Sequence, residues 1–120
     1  MSEIKLPHDH GQAIENHLEH MPAPEDFTAV SDILKLLADC SRIRIFWLLC
    51  HCEECVINIS AMVDMSSPAV SHHLRLLKSS GLIVSRREGK EVYYKAANTE
   101  QAELLHQMIE NMVEITCPGR

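Results

Sequence analysis

Aromatic side chains are scarce in this sequence: one Trp, two Tyr and two Phe among 120 residues. A core must therefore be assembled from Leu, Ile, Val, Met and Ala, and a hydrophobic content of 46% is enough to supply one. Long apolar runs are also missing. No stretch approaches the roughly 20 apolar residues that cross a bilayer. Residues 1–11 are polar and carry no apolar segment of the secretory-signal kind. These absences predict a cytoplasmic protein without membrane contact. In that reducing compartment Cys40, Cys50, Cys52, Cys55 and Cys117 are expected as free thiols or metal ligands, not as structural disulfides. With four glycines and no glycine-rich phosphate loop, nothing here predicts an enzyme. A chain of this length fits one domain and buries only about two-thirds of its unfolded surface, so dimerisation would add stability.

A positive net charge is lacking as well: the formal sum is −6. Its distribution matters more than its total. Residues 65–97 hold Arg75, Lys78, Arg86, Arg87, Lys90 and Lys95 against Glu88 and Glu91, whereas every other part of the chain is net acidic. A cationic block inside an acidic chain points to a localised polyanion contact.

What is present is mostly helical pattern. Residues 1–24 read as a His-rich N-terminal arm, punctuated by Pro7, Gly11, Pro22 and Pro24, with two possible helical turns over Gln12–His20. Residues 25–116 read as the folded domain and residues 117–120 as a tail. Phe27, Val30, Ile33, Leu34 and Leu37 recur at helical spacing, giving a helix that ends near Asp39. Ser41 is a candidate cap for the next, which is apolar on most sides from Ile43 to Leu49 and so should be central. A short helix spans about Val56–Val63. After the turn Asp64-Met65-Ser66, Ser66 or Ser67 caps a helix with Pro68 in its first turn. That helix buries Val70, Leu74 and Leu77 and stops at Gly81. Leu82–Arg87 and Val92–Lys95 alternate as two strands around Glu88-Gly89-Lys90. Asn98 or Thr99 caps a last helix with Leu104, Leu105, Met108, Ile109 and Met112 as its apolar positions.

Helix, short turn, helix and two-stranded hairpin is the order of a winged helix-turn-helix, a mainly α fold with a β-hairpin wing (α+β). The second helix of the pair enters the major groove. Removing its buried positions leaves Ser67, Ala69, Ser71, His72, His73, Arg75 and Lys78 as candidate DNA contacts. Arg86, Arg87, Lys90 and Lys95 of the hairpin suit phosphates, which position a protein without reading sequence.

Several segments then resemble one family. They are Ser41-Arg42-Ile43-Arg44-Ile45, Glu54-Cys55-Val56, Ala69-Val70-Ser71-His72-His73-Leu74-Arg75-Leu76-Leu77, Ser80-Gly81-Leu82 and the wing from Arg87 to Tyr94. In this order and spacing, over roughly residues 27–97, the chain resembles the ArsR/SmtB repressors. The resemblance implies a homodimeric winged-helix repressor that leaves double-stranded operator DNA when an inducer binds, usually a metal or metalloid ion. It also implies that the first and last helices of the domain form the dimer interface, for which the apolar faces Val30–Leu37 and Leu104–Met112 are available.

Cys50-His51-Cys52-Glu53-Glu54-Cys55 places three thiols within six residues, where one helix ends and another begins. Thiolates so spaced can converge on one ion, and sulfur suits Zn(II), Cd(II), Pb(II) or As(III). In the resembling family the metal thiolates come from a Cys-x-Cys pair at this place. Cys55 matches the first of these, but Ile57 stands at the second, with Cys50 and Cys52 upstream as possible substitutes. A fourth ligand is available in His8, His10, His17 or His20 of the arm, from the other subunit. Three thiolates alone suit As(III); an added imidazole suits tetrahedral Zn(II) or Cd(II). Thiol oxidation or persulfide formation is the alternative switch. The family's second site, on the last helix, is poorly matched by Asn98, Glu100, Asn111 and Glu114, whereas His106 and Glu110 at i, i+4 can share an ion. Cys117 is a further candidate ligand. Cys40 stands where relatives often have proline and suits packing or redox chemistry.

Overall fold

The computed structural model describes residues 5–119, so residues 1–4 of the expected arm and Arg120 of the expected tail lie outside the described residues. The elements in chain order are α1 (Glu15–His20), α2 (Pro24–Leu37), α3 (Cys40–Leu49), β1 (Glu54–Cys55), α4 (Val56–Val63), α5 (Ser67–Ser79), β2 (Ile83–Glu88), β3 (Glu91–Ala96) and α6 (Glu100–Thr116). The described residues divide into two compact units, one ending at Asp32 and the other beginning at Ile33. In the first unit α1 buries none of its residues. The second unit is a winged helix-turn-helix.

Local chemistry accounts for most boundaries. α2 begins earlier than the apolar spacing suggests, because Pro24 is tolerated in a first turn and Glu25 and Asp26 favour the helix start. It ends at Leu37 because Asp39 is extended and caps α3, its carboxylate accepting from the Arg42 amide at 2.9 Å. The cap is thus Asp39, not Ser41, and Cys40 is already helical. Ser66 caps α5 by accepting from the Ala69 amide, and Thr99 caps α6 by accepting from the Ala102 amide. Between α4 and α5 the chain reverses at Asp64, a residue in the left-handed conformation (φ 54°).

The core gathers Leu37, Ile45, Phe46, Leu49, Ile59, Val63, Val70, Leu74, Leu77, Leu82, Ile83, Leu105 and Ile109. Only one aromatic, Phe46, is among them, and aliphatic side chains fill the rest, as the composition requires. α5 packs on α3 and α4 through Val70, Leu74 and Leu77.

The wing differs from the expected hairpin by a third strand. β2 and β3 pair antiparallel from Ile83↔Ala96 to Glu88↔Glu91, leaving Gly89 (φ 62°) and Lys90 as the tip. β1 then adds to the other edge of β3, with Glu54 opposite Tyr94 and Cys55 opposite Tyr93. A two-residue strand has no periodicity to read, and its partner lies about 40 residues away in sequence. Among the described residues, no helix is long and apolar enough to cross a membrane.

Candidate nucleic-acid interface and ligand sites

Burying Val70, Leu74 and Leu77 turns the opposite face of α5 to solvent. Ser67, Ser71, His72, Arg75 and Lys78 are exposed there, and Ala69 is half-buried. Arg75 Nη2 lies 3.1 Å from His72 Nδ1, linking two polar side chains one turn apart. His73 is different. It is half-buried, and its Nδ1 is 3.2 Å from Arg42 Nη1, while Arg42 Nε donates to the Leu36 carbonyl at 2.6 Å. Burial pushes the His73 pKa down, the Arg42 and His72 charges add to that, and Asp39 opposes it. A donor-only guanidinium is matched by an acceptor on Nδ1, so this contact favours the neutral ring and ties α5 to α3.

At the wing, Arg87 and Lys90 are exposed beside the tip, and Arg87 Nε donates to the Gly89 carbonyl at 3.3 Å. Arg86 is held within the protein. Its Nε donates to both Glu53 oxygens at 3.0 Å, its Nη2 to Glu53 Oε1 at 2.8 Å and its Nη1 to Glu88, and the guanidinium lies 4.8 Å from the Tyr93 ring centre. The hydrogen bond from Arg86 holds the Glu53 carboxyl below its ordinary range, and the two acids raise Arg86.

Cys50, Cys52 and Cys55 lie along the segment that leads from the end of α3 into β1. Cys50 caps the end of α3 and is half-buried; desolvation first, then the charges of Glu103 and Glu110, push its thiol up to about 11. Cys52 Sγ lies 3.4 Å from the Leu48 carbonyl, and burial, then the Glu54 charge, raises its pKa. Cys50 and Cys52 line one cavity with Glu103 and His106. Cys55 is the residue preceding α4 and sits in β1. All five cysteines are free thiols. Cys40 is exposed at the start of α3, and Cys117 caps the end of α6. In the first unit the His8 and His10 rings stack at 5.7 Å, His20 Nδ1 is 2.7 Å from the Asn16 carbonyl, and His17 is exposed.

Among the described residues, one group of three side chains brings its ligand atoms within 4.8 Å of one another, and it is His51, His106 and Glu110. Cys50, Cys52 and Cys55 do not form such a group. His106 and Glu110 were legible as an i, i+4 pair; His51 was hidden among the cysteines, and only packing of the α3 end against α6 brings it in. Trp47 completes the cluster by donating from Nε1 to Glu110 Oε1 at 3.0 Å.

Known proteins resemble this chain in sequence and in fold. A profile of bacterial regulatory proteins of the arsR family matches residues 39–85, from the α3 cap into β2. The chain is 38% identical over 81 residues to the cadmium resistance transcriptional regulatory protein CadC of Listeria innocua, covering 67% of this chain and 68% of that one. It is 35% identical over 85 residues to a transcriptional repressor SmtB homolog of Synechocystis, covering 71% of this chain and 64% of the relative. The solution structure of a homodimeric winged helix-turn-helix DNA-binding domain from Mycobacterium bovis superposes with a TM-score of 0.69 at 27% identity, over 83% of this chain and 94% of that domain.

Proposed function

The chain belongs to the arsR family of bacterial DNA-binding transcriptional regulators, and from that premise we propose that it is a cytoplasmic homodimeric repressor released from operator DNA when a thiophilic ion binds its cysteines. Two copies of α5 enter successive major grooves, spaced by about one helical turn, roughly 34 Å. Ser67, Ala69, Ser71, His72, Arg75 and Lys78 face the bases and flanking phosphates, with His73 fixing the helix from behind. Arg87 and Lys90 follow the backbone, and Arg86 joins them when its pairing with Glu53 opens.

One observation carries the link between ligand and DNA. The thiol turn runs directly into β1, a strand of the wing's own sheet, and Glu53 in that turn holds Arg86. Soft donors at Cys50, Cys52 and Cys55 suit Cd(II), Zn(II), Pb(II) or As(III), and the CadC relative is by name a cadmium resistance regulator. His8, His10, His17, His20 or Cys117 of the second copy are the candidates for a further ligand. Drawing the three sulfurs together requires the turn to close, and β1 passes that movement to β3 and the wing. By linkage, whatever affinity for DNA the ion removes, DNA removes from the ion.

The test is fluorescence anisotropy of the reduced protein on its own promoter duplex, titrated with each ion, alongside sulfur-to-metal absorption. Release of DNA in step with that absorption, lost in a Cys50/Cys52/Cys55→Ser protein, is the expected result. Release by peroxide or polysulfide alone would replace the metal with thiol oxidation as the switch.

A further inference from the structure

His51 lies just beyond the end of α3, and His106 and Glu110 share one face of α6. His106 Nε2 is 3.1 Å from His51 Nε2 and 3.1 Å from Glu110 Oε1, and His51 Nε2 is 3.4 Å from the same oxygen. Three ligand atoms thus form a nearly equilateral triangle. A tetrahedral ion with bonds of about 2.0–2.1 Å requires donors roughly 3.3–3.4 Å apart. Two imidazoles and one carboxylate are also a donor set that zinc uses when its fourth position stays open.

The surroundings hold these groups in place. The Trp47 indole lies 4.1 Å from the His51 ring centre, and His51 meets the His106 ring edge-on at 4.8 Å. Trp47 Nε1 hydrogen-bonds the same Glu110 oxygen that faces both imidazoles, the kind of outer contact that orients a ligating carboxylate. Oxygen and nitrogen donors without sulfur suit a borderline divalent cation rather than a soft metalloid.

We infer that His51, His106 and Glu110 form a divalent-metal site, of zinc character, that clasps the end of α3 to α6. The site uses none of the sulfurs, so it does not depend on the thiol reading of the switch. It fastens α6 at mid-length, on the helix that also carries an exposed apolar stripe.

The full-length Cys50/Cys52/Cys55→Ser protein separates the two. It is titrated with Zn(II) against a chromophoric chelator, and with Co(II) as a spectroscopic probe. The site predicts one ion per chain, visible Co(II) bands with no sulfur charge-transfer band, a change in emission from Trp47, the sole tryptophan, and a raised Tm. Adding His51→Gln or His106→Gln should weaken binding by more than about 100-fold, since losing even a hydrogen-bonded neighbour of a ligand costs 10–100-fold. His51 is exposed on a turn, so its replacement leaves the fold intact. A Ser protein that takes up no Zn(II), or that binds it equally well after His51→Gln and His106→Gln, would overturn the assignment. Neither result bears on whether the thiols of the native chain release DNA.

Discussion

Arg86 of the wing and Glu53 of the thiol turn, 33 residues apart in sequence, meet through two guanidinium nitrogens and both carboxylate oxygens. The pair is exposed on the Arg86 side, so solvent screens it and its direct share of stability is small. Its effect is on where a positive charge is available. While Glu53 holds Arg86, that charge is neutralised beside the wing.

Glu53→Gln should therefore raise affinity for duplex DNA at low ionic strength. It should also steepen the salt dependence by about one phosphate contact. Arg86→Ala in the native background should change binding less than Lys90→Ala does. Anisotropy titrations across a salt series test this. Equal losses for Arg86→Ala and Lys90→Ala would mean that Arg86 already contacts phosphate and that Glu53 does not restrain it.

Cys50 should be the slow thiol. Its pKa of about 11 leaves roughly a hundred-fold less thiolate at neutral pH than an ordinary cysteine has. Iodoacetamide labelling followed by mass mapping should modify exposed Cys40 well before Cys50. The same shift makes a stability prediction. The unfolded chain loses this proton at lower pH than the folded one, so stability falls as pH rises between about 9 and 11. Cys50→Ala should flatten that part of the pH profile in urea unfolding.

His73 gives the acid-side counterpart. Its folded pKa lies below the ordinary value because burial disfavours the cation. As pH falls below about 6.5 the unfolded chain gains the proton first, so stability is full above that pH and declines below it. His73→Gln should reduce the acid slope in urea unfolding followed across pH. NMR titration of the His73 ring checks the assignment: a ring that titrates above the ordinary histidine value would contradict it.

α6 carries two apolar stripes. Ala102, Leu105 and Ile109 face the core, while Leu104, Met108, Met112 and Ile115 are exposed, Leu104 at 69% and Ile115 at 75%. In the proposed homodimer this outer stripe is the surface assigned to the interface. Met108→Lys with Met112→Lys should shift sedimentation to the monomer, with unfolding midpoints nearly unchanged at low protein concentration. Operator affinity should fall by orders of magnitude, because a monomer engages one half-site. An unchanged dimer would exclude this stripe from the interface.

Much of this architecture is written in short stretches of sequence. The spacing of Val70, Leu74 and Leu77 decides which face of α5 is outward, and Ser66, Gly81 and Gly89 mark where elements start, stop and turn. Each is a local property: a helical period, a side-chain cap or a left-handed φ acts over a few residues. The family resemblance was legible for the same reason, since its motifs are contiguous. Asp39 displaced Ser41 as the cap of α3 by a two-residue margin that spacing does not resolve.

The sequence by itself determined the helices, the turn between α4 and α5, the outward face of α5 and the confinement of positive charge to residues 65–97. Only the tertiary structure decided that Cys55 pairs opposite Tyr93, that Glu53 captures Arg86, that His73 turns back to Arg42 and that His51 meets His106 and Glu110. These contacts join elements far apart in the chain. Periodicity reports how a residue sits about its own helix or strand, whereas meetings at a distance depend on how the elements pack around Phe46, Leu49, Leu74 and Leu105, a result of the whole core closing at once.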